Sequence, residues 1–508
     1  MRNPCLLLLP LLAAGTVWGT EAPAPMRLSH KVALRLGLTN LLQARIAREI
    51  REQLRQAPEA EMGIFDWQLN ASASNGKLEY GDLNPRFSGL SNLYLTNFNT
   101  MQDARSASLG LTKLDAFGGT VNLNFSTGFN ASSYLVNNQT LPIGPSASLA
   151  FDTLNPYTGS VSLSYTQPLL RGFGRSATEA RLRAALEEAR GAGEGYRARM
   201  QELLTRVDNL YWDQVYAHQN LENKQIALKL AQTHLEEDQE KVKAGMLAPI
   251  ELPQVEATVA EREKQLLAAQ ALLVNSQAAL LETLFPDGDR PSALELTDAP
   301  APGAEPVALA QAKSIAVAHR PEIGQAQYSL AANRSLEKAA TSAILPKLDT
   351  QLAVLRDTTS HSDVNAVFND WSQGRYPGYY VGLSFSFPLQ NRTSRARLAQ
   401  ARSAIRSSQY LVQDTVTSVN LDVEQAYTDL ITARKQVEAA DKALAFRKES
   451  LEAEMSKLEN GMTTPFFVLQ RQDELDQART ADLEARIAAE KAQTNLARAM
   501  GILVETVE

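Results

Sequence analysis

The chain has 508 residues, 44% of them hydrophobic and 21% charged, with a formal net charge of -7 at pH 7. The mild acidity and the lack of any basic cluster exclude a nucleic-acid surface. Its one cysteine, Cys5, excludes an internal disulfide framework.

The first element is an apolar run, Leu6 to Val17, behind Arg2. It is too short and too close to the start for a spanning helix, and reads as a secretory signal. Val17 and Gly19 are small enough to precede a cut before Thr20, which gives residues 1–19 to the signal peptide. Cys5 falls inside that segment and lacks the acidic or Ser-rich sequel of a lipid-anchored start. The exported chain then has no thiol and is stabilised by packing.

Strand patterns follow. Trp67 and Leu69 flank Gln68, and Gly76 to Thr100, rich in Asn, Gly, Ser and Tyr, reads as a long external loop. Ser106 to Leu114 and Gly119 to Asn130 form a candidate hairpin joined at Asp115 to Gly118. Its second arm alternates Val121, Leu123 and Phe125 with Asn122, Asn124 and Ser126. Next, Val161, Leu163 and Tyr165 alternate with Ser162, Ser164 and Thr166 up to Pro168. One face is apolar or aromatic, the other small, polar and uncharged, as in a soluble sandwich or a membrane barrel. An exported chain without a spanning helix crosses a bilayer only as a closed barrel.

A long helical pattern follows Pro168, with a seam of Leu203, Val207, Leu210, Ala217, Leu221, Leu228, Ala231 and Leu235, interrupted at Gln214 and Lys224. Gly191, Gly193 and Gly195 each cost about 1 kcal/mol in a helix and predict a bend or loosened turn. The rod stops at Gly245, and Pro249 allows a new start, so Ile250 to Leu284 forms a return helix of about 50 Å.

The same series then recurs. Val381, Leu383 and Phe385 alternate with Gly382, Ser384 and Ser386 up to Pro388, which lies 220 residues after Pro168. From Thr393 to Asn460 there is no glycine or proline, enough for a rod of roughly 100 Å. Val419, Val423, Ala426, Leu430, Ala433, Val437, Ala440, Leu444 and Leu451 set a left-handed heptad seam along it. Gly461 and Pro465 repeat the turn, and Phe466 to Met500 the return helix. A constant offset of 216 links Tyr211 with Tyr427, Gly245 with Gly461, Met246 with Met462, Pro249 with Pro465 and Gln254 with Gln470. The chain is thus read as a duplication, 20–290 and 291–508. Each copy supplies one hairpin, and four strands fall short of the roughly eight of a small barrel, so several chains must share one. Whether the additional hairpin at 106–130 enters the wall or lengthens the outer loops is left open by strand parity.

With these residues in view, the chain resembles the TolC-like outer membrane efflux and secretion ducts, from about Met26 to about Val504. Gln167-Pro168-Leu169-Leu170-Arg171-Gly172-Phe173-Gly174 is similar to the strand-to-helix junction of that family. His319-Arg320-Pro321-Glu322-Ile323, an alanine-rich helix and Leu345-Pro346-Lys347-Leu348 are similar to the opening of its second repeat. Tyr211 with Trp212, and the two glycine turns followed by Leu252 to Glu256 and Val468 to Gln472, complete the likeness.

The resemblance implies a mainly α fold with a membrane β-barrel portion. Long helical hairpins would form a homotrimeric tube continued by a shared twelve-stranded barrel, four strands per chain. A belt would come from the segments near His30 to Gln56, Pro286 to Arg334 and the C-terminus. It implies an outer membrane location in contact with lipid, and a long periplasmic extension. The implied partners are a periplasmic adaptor (membrane fusion) protein and an inner-membrane pump or ABC transporter. The adaptor-docking tips map to Gly245, Met246, Leu247, Gly461, Met462 and Thr463. The pore constriction maps to Glu251 in the first copy and to Phe467 and Gln470, where acidic groups are usual, in the second. A threefold set of Glu251 carboxylates would bind cations and favour closure, and Phe467 would gate by excluding water.

No catalytic site emerges. His30, His218, His234, His319 and His361 are scattered without zinc spacing, and no phosphate-binding glycine loop is present. The expectation is a non-enzymatic conduit without cofactor, gated by shifting the Gly245 and Gly461 hairpins. The alternative is a structural or adhesive envelope coiled-coil protein, with the rods as stalks and the strands as a small sandwich. No residue identifies a cargo.

Overall fold

A computed structural model describes residues 26–83, 98–137, 148–152, 156–245, 248–288, 290–291, 294–301, 305–360, 363–373 and 377–504. The expected signal segment lies outside them. In chain order the elements are β1 (Met26–Leu28), α1 (His30–Asn40), α2 (Leu42–Met62), β2 (Gln68–Leu83), β3 (Phe98–Leu114), β4 (Thr120–Asn137), β5 (Ser148–Asp152), β6 (Tyr157–Pro168), α3 (Arg175–Thr178), α4 (Ala180–Lys243), α5 (Leu252–Leu284), β7 (Leu294–Leu296), α6 (Leu309–His319), α7 (Pro321–Ser342), β8 (Lys347–Ser360), α8 (Val364–Ser372), β9 (Pro377–Ser386), α9 (Arg392–Glu459) and α10 (Pro465–Ala499). Among the described residues no helix is long and apolar enough to cross a membrane.

The chain divides into two compact units. One takes residues up to Glu49, Tyr196–Pro321 and Val416 onward, and the other takes Ile50–Gly195 and Glu322–Thr415. Each draws on both sequence halves.

The second unit holds an antiparallel sheet in the order β2-β3-β4-β6-β8-β9, with short β5 on the outer end of β4. Six strands therefore lie side by side, two more than the four expected. The segment read as a loop from Gly76 to Thr100 is partly strand: β2 runs on to Leu83 and β3 begins at Phe98, because Gly76 to Tyr80 pair with Ala104 to Thr100. Gly76, Lys77 and Glu79, poor strand formers, hold a strand there because pairing with β3 satisfies their backbone groups.

The alternation seen in sequence becomes two chemically distinct faces. Leu69, Leu111, Leu123, Leu163, Val354 and Tyr379 are successive cross-strand partners, one from each of the six strands. On the opposite face Ser72, Ser108, Ser126 and Ser160 align across four strands. Ser72 and Ser108 bond at 2.8 Å, and Ser126 and Ser160 at 2.7 Å. The amphipathic α8, capped by Asp363 accepting from the Ala366 amide at 2.8 Å, lies on the apolar side. Phe368 and Trp371 there pack on Phe125, with ring centroids 5.6 and 4.7 Å away.

Strands pass into rods at two stitched junctions. The Leu169 amide donates to the Leu348 carbonyl (2.7 Å), and Gly174 donates to the Phe117 carbonyl in the β3–β4 turn (3.0 Å). At the other junction buried Asn391 adopts a φ of 43°, and its amide side chain donates to the Ile344 carbonyl at 2.8 Å. Asparagine tolerates this left-handed geometry better than most residues.

The glycines at 191, 193 and 195 do not interrupt α4, which stays helical throughout. Gly191 and Gly195 instead admit α7: a Cβ on Gly191 would sit 3.3 Å from Cβ of Tyr328, and one on Gly195 3.3 Å from the Gln325 amide. Close helix approach offsets their propensity cost, while nothing in the structure explains Gly193.

The first unit is helical apart from the parallel pair β1–β7. Its core joins Leu28, Leu34, Leu203, Leu204, Val207, Tyr211, Leu280, Leu284 and Ile487. The predicted α9 seam is buried at Val419, Val423, Ala426, Leu430 and Ala433. A polar knot ties the N-terminal segment to α4 and α10. Asp208, 0% exposed, accepts from Thr494 (3.0 Å) and pairs with His30 Nε2 (2.6 Å). Asp298 accepts from the Tyr211 hydroxyl and the His30 amide, each at 2.7 Å. Burial, with Asp298 alongside, pushes the Tyr211 hydroxyl far above its usual pKa, so it stays a donor. Arg320 closes the end of α10, donating to the Arg498 and Ala499 carbonyls (3.3 Å each) and pairing with Asp422 at 3.0 Å.

Removing a buried carboxylate strips the Thr494 hydroxyl and the His30 ring of their hydrogen-bond partner, at a cost of about 1–3 kcal/mol for each group left unsatisfied. Asp208→Ala is therefore expected to lower the Tm of the solubilised protein markedly, and Asp208→Asn, which still accepts from Thr494, less so. Equal melting temperatures in a thermal scan would show that the knot does not hold this unit together.

Candidate functional site at the hairpin turns

Both rods end as their sequences require. Gly245 and Gly461 have φ of +74° and +70°, a region open to glycine at little cost. At the second turn the Gly461 amide donates to the Leu458 carbonyl (3.0 Å) and the Met462 amide to the Lys457 carbonyl (2.9 Å), the paired bonds of a Schellman motif. The Thr463 hydroxyl donates to Glu454 at 2.5 Å and helps hold the Glu454 carboxyl below its ordinary pKa, with Lys457 beside it. Pro465 opens α10, and at the first turn Pro249 opens a short 3-10 turn ahead of α5. Met246 and Leu247 lie outside the described residues, and of Glu251 only the backbone, in that 3-10 turn, is described.

Met462 is 70% exposed at the turn. Phe466 and Phe467 are each nearly half exposed and meet edge to face at 5.4 Å. Gln470 is exposed one turn further along and reaches Glu474 at 3.5 Å. The second turn thus brings Met462, Phe467 and Gln470 onto one short stretch of apolar and neutral surface. Below it Leu451, Val468 and Leu475 pack α10 on α9, with Leu444 and Leu458 against them.

Deeper in this unit lies a buried ion cluster that joins the two hairpins. Lys224 on α4 and Arg262 on α5 both reach Asp476 Oδ2 on α10, at 2.7 and 3.0 Å, and Arg262 also pairs with Asp473. Arg262 and Asp476 are each 8% exposed, so the charges are shielded from water and interact strongly. Around them is a cavity of about 730 Å³, lined by Tyr216, Gln254, Glu261, Gln265 and Glu484 among others. Tyr216 donates to Glu484 (2.9 Å), and burial, then Glu484, pushes its hydroxyl up to about 12. Lys491 to Asp213, at 2.5 Å, is a further polar rung between α10 and α4.

None of the four ion-cluster residues stood out in the sequence. Their one signal was Lys224, a break in the α4 seam; the other break, Gln214, accepts from Ser276 on α5 at 2.5 Å. Both interruptions are thus polar contacts between helices.

Known proteins share the fold. The profile of outer membrane efflux proteins matches residues 121–284 and 313–502, more than half of the chain. Pyoverdine export outer membrane protein OpmQ of Pseudomonas aeruginosa is 25% identical over 64% of this chain and 66% of its own length, so the match spans just under two thirds of that relative. Among solved structures, the CusC channel superposes with a TM-score of 0.65 at 16% identity, covering 93% of this chain and 92% of that one. The outer membrane protein VceC of Vibrio cholerae gives 0.64 at 15%, covering 93% and 96%. Helical rods, glycine turns and a two-faced antiparallel sheet, together with the profile match, lead to one assignment: the chain belongs to the outer membrane efflux protein family.

Proposed function

We propose that the protein is the outer membrane duct of a tripartite efflux or secretion system. It conducts solutes passively from an inner-membrane pump or ABC transporter, through a periplasmic adaptor, to the outside. The observation that carries this reading is the uncovered apolar row of the sheet. Leu69, Leu123, Leu163, Val354 and Tyr379 are 65%, 41%, 50%, 60% and 86% exposed, while the opposite face carries hydroxyls. A stalk protein with a small sandwich would cover that row; a barrel turns it to lipid and its serines to water.

The sheet cannot close within one chain, since β2 and β9 pair on one side only among the described residues. Unpaired edges in hydrocarbon are untenable, so identical copies join edge to edge, and the reading takes three of them. An exposed stripe of Leu42, Ile46, Ile50 and Leu54 on α2 supports contact with a neighbouring copy. The long rods of α4 and α9 would form the periplasmic tube, with the turns at Gly245 to Leu247 and Gly461 to Thr463 at the adaptor. Cargo selection would lie upstream. The pyoverdine in the name of OpmQ stays with that protein.

Gating would consist of sliding the two hairpins past each other, with the Lys224–Arg262–Asp473–Asp476 cluster as the latch of the closed state. Phe467 and Gln470 would line the mouth in the second copy and Glu251 in the first.

Purified protein in planar bilayers should form heat-modifiable trimers that conduct ions. A monomer that leaves the bilayer sealed would overturn the reading. In the same recordings Glu251→Gln should abolish block by divalent cations; unchanged block removes Glu251 from the mouth.

Neutralising Asp476 leaves Arg262 paired only with half-exposed Asp473, and Lys224 with only the Thr480 hydroxyl, and weakens the latch by about 3 kcal/mol or more. Asp476→Asn is thus expected to raise closed-state conductance several-fold at unchanged trimer yield. Wild-type conductance in correctly assembled trimers would make the cluster a packing feature only.

A further inference from the structure

The strand count has a functional consequence of its own. In the second half of the chain the order is α7, β8, α8, β9, α9: a helix, two strands with a short helix between them, and a rod. In the first half it is α2, β2, β3, β4, β5, β6, α3, α4, with β5 a short strand beside β4, so β3 and β4 are an added hairpin between the two strands that correspond to β8 and β9. The family profile begins at Val121, inside β4, and leaves β2 and β3 outside the match.

We infer that this hairpin is part of the membrane wall, so that each copy contributes six strands and the assembled barrel has eighteen, where the four-strand expectation gives twelve. The inference rests on the trimeric duct reading and concerns how wide that duct is at its exit. Three observations carry it.

First, the hairpin is in register with the rest of the sheet. β3 pairs with β2 from Gln68↔Thr112 and with β4 from Leu114↔Thr120, while β4 pairs with β6 from Thr120↔Thr166 and β6 with β8 from Pro168↔Asp349. The strand ends are therefore flush on the side that leads to the rods.

Second, its turn is fixed to the strand-to-rod junction. Asp115 accepts from the Phe117 and Gly119 amides and from the Tyr165 hydroxyl, each at 2.8 Å. A Cβ on Gly118 would lie 2.3 Å from the Gly172 carbonyl oxygen, so the turn presses directly on the junction backbone. A hairpin that extended the outer loops would turn at the other end of the strands.

Third, both chemical faces continue through it. Leu111 and Leu123 fill the apolar row between Leu69 and Leu163, and Ser108 and Ser126 fill the hydroxyl row between Ser72 and Ser160. Outside the bilayer nothing would require the hairpin to match that division.

Six is an even number, so β2 and β9 run in opposite directions, and a neighbour's β9 can add to β2 while every pair in the ring stays antiparallel. The partner for both edges is a second copy of this chain. With strands about 4.8 Å apart and tilted by about 40°, eighteen strands give a barrel roughly 35 Å across at the backbone, against roughly 24 Å for twelve. The exit is then wide enough for bulky cargo, and size selection falls to the helical mouth.

The test uses full-length trimers in lipid nanodiscs, with Cys5→Ser as background and single cysteines labelled by a membrane-impermeant maleimide. Ser108→Cys and Ser126→Cys should label as fully as Ser162→Cys on β6. Leu111→Cys and Leu123→Cys should label to no more than about a tenth of that, like Leu163→Cys, because they face lipid. A density section at the hydrocarbon level should show eighteen strands. Full labelling of Leu111→Cys and Leu123→Cys with Leu163→Cys protected, and twelve strands in section, would overturn the inference and leave the duct standing. Labelling of Leu163→Cys as well, in a protein that is monomeric in lipid, would overturn both.

Discussion

The constraint on which the rest depends is the imbalance of the sheet. One face offers a largely exposed row of leucine, valine and tyrosine, and among the described residues both edges leave backbone hydrogen-bonding groups unpaired. In water such a sheet would aggregate, and in lipid an open edge costs several kcal/mol per unpaired group. Closure by further copies, as proposed, would resolve both problems together, since it would pair the edges and turn the apolar row outward. The serine rows would then face the enclosed space; their cross-strand hydroxyl pairs satisfy one another without carrying charge.

The helical unit solves a different problem. Rods of 64 and 68 residues have far more surface than a narrow heptad seam can bury, and alanines such as Ala426 and Ala433 allow close approach at modest hydrophobic gain. Specific polar rungs supply the register instead. Asp213–Lys491, Tyr216–Glu484 and Lys224–Asp476 fix α4 against α10, and Arg262 adds α5. The buried pairs that Asp476 makes with Lys224 and Arg262 stabilise little relative to apolar packing, but they are costly to break singly, which suits a contact that holds one of two arrangements. Packing that is mainly apolar could slide gradually; packing indexed by rungs moves in steps.

Much of this was legible in the residues. Rod limits follow from the glycine- and proline-free stretch, and α9 begins and ends within one residue of Thr393 and Asn460. The turns follow from Gly245 and Gly461, whose positive φ only glycine adopts readily. Strand faces follow from alternation. What escaped notice depends on partners distant in sequence. The three-residue pair β1–β7 is too short for any periodicity to register. Gly76 to Glu79 lacks β-branched and aromatic residues and is strand because β3 lies beside it. Gly191 and Gly195 were misread as weak points because α7 supplies the packing that a helix propensity omits. Arg262, Asp473 and Asp476 look like ordinary solvated helix charges until α5 and α10 bring them together.

The most direct measurement of the central claim is amide hydrogen exchange along the two sheet edges in the lipid-reconstituted protein. If copies close the barrel through those edges, the amides of β2 and β9 exchange as slowly as those of β4 and β6, which are paired on both sides. If alternate amides along β2 and β9 exchange orders of magnitude faster than those of β4 and β6, the edges are open, and the account of a shared wall is contradicted.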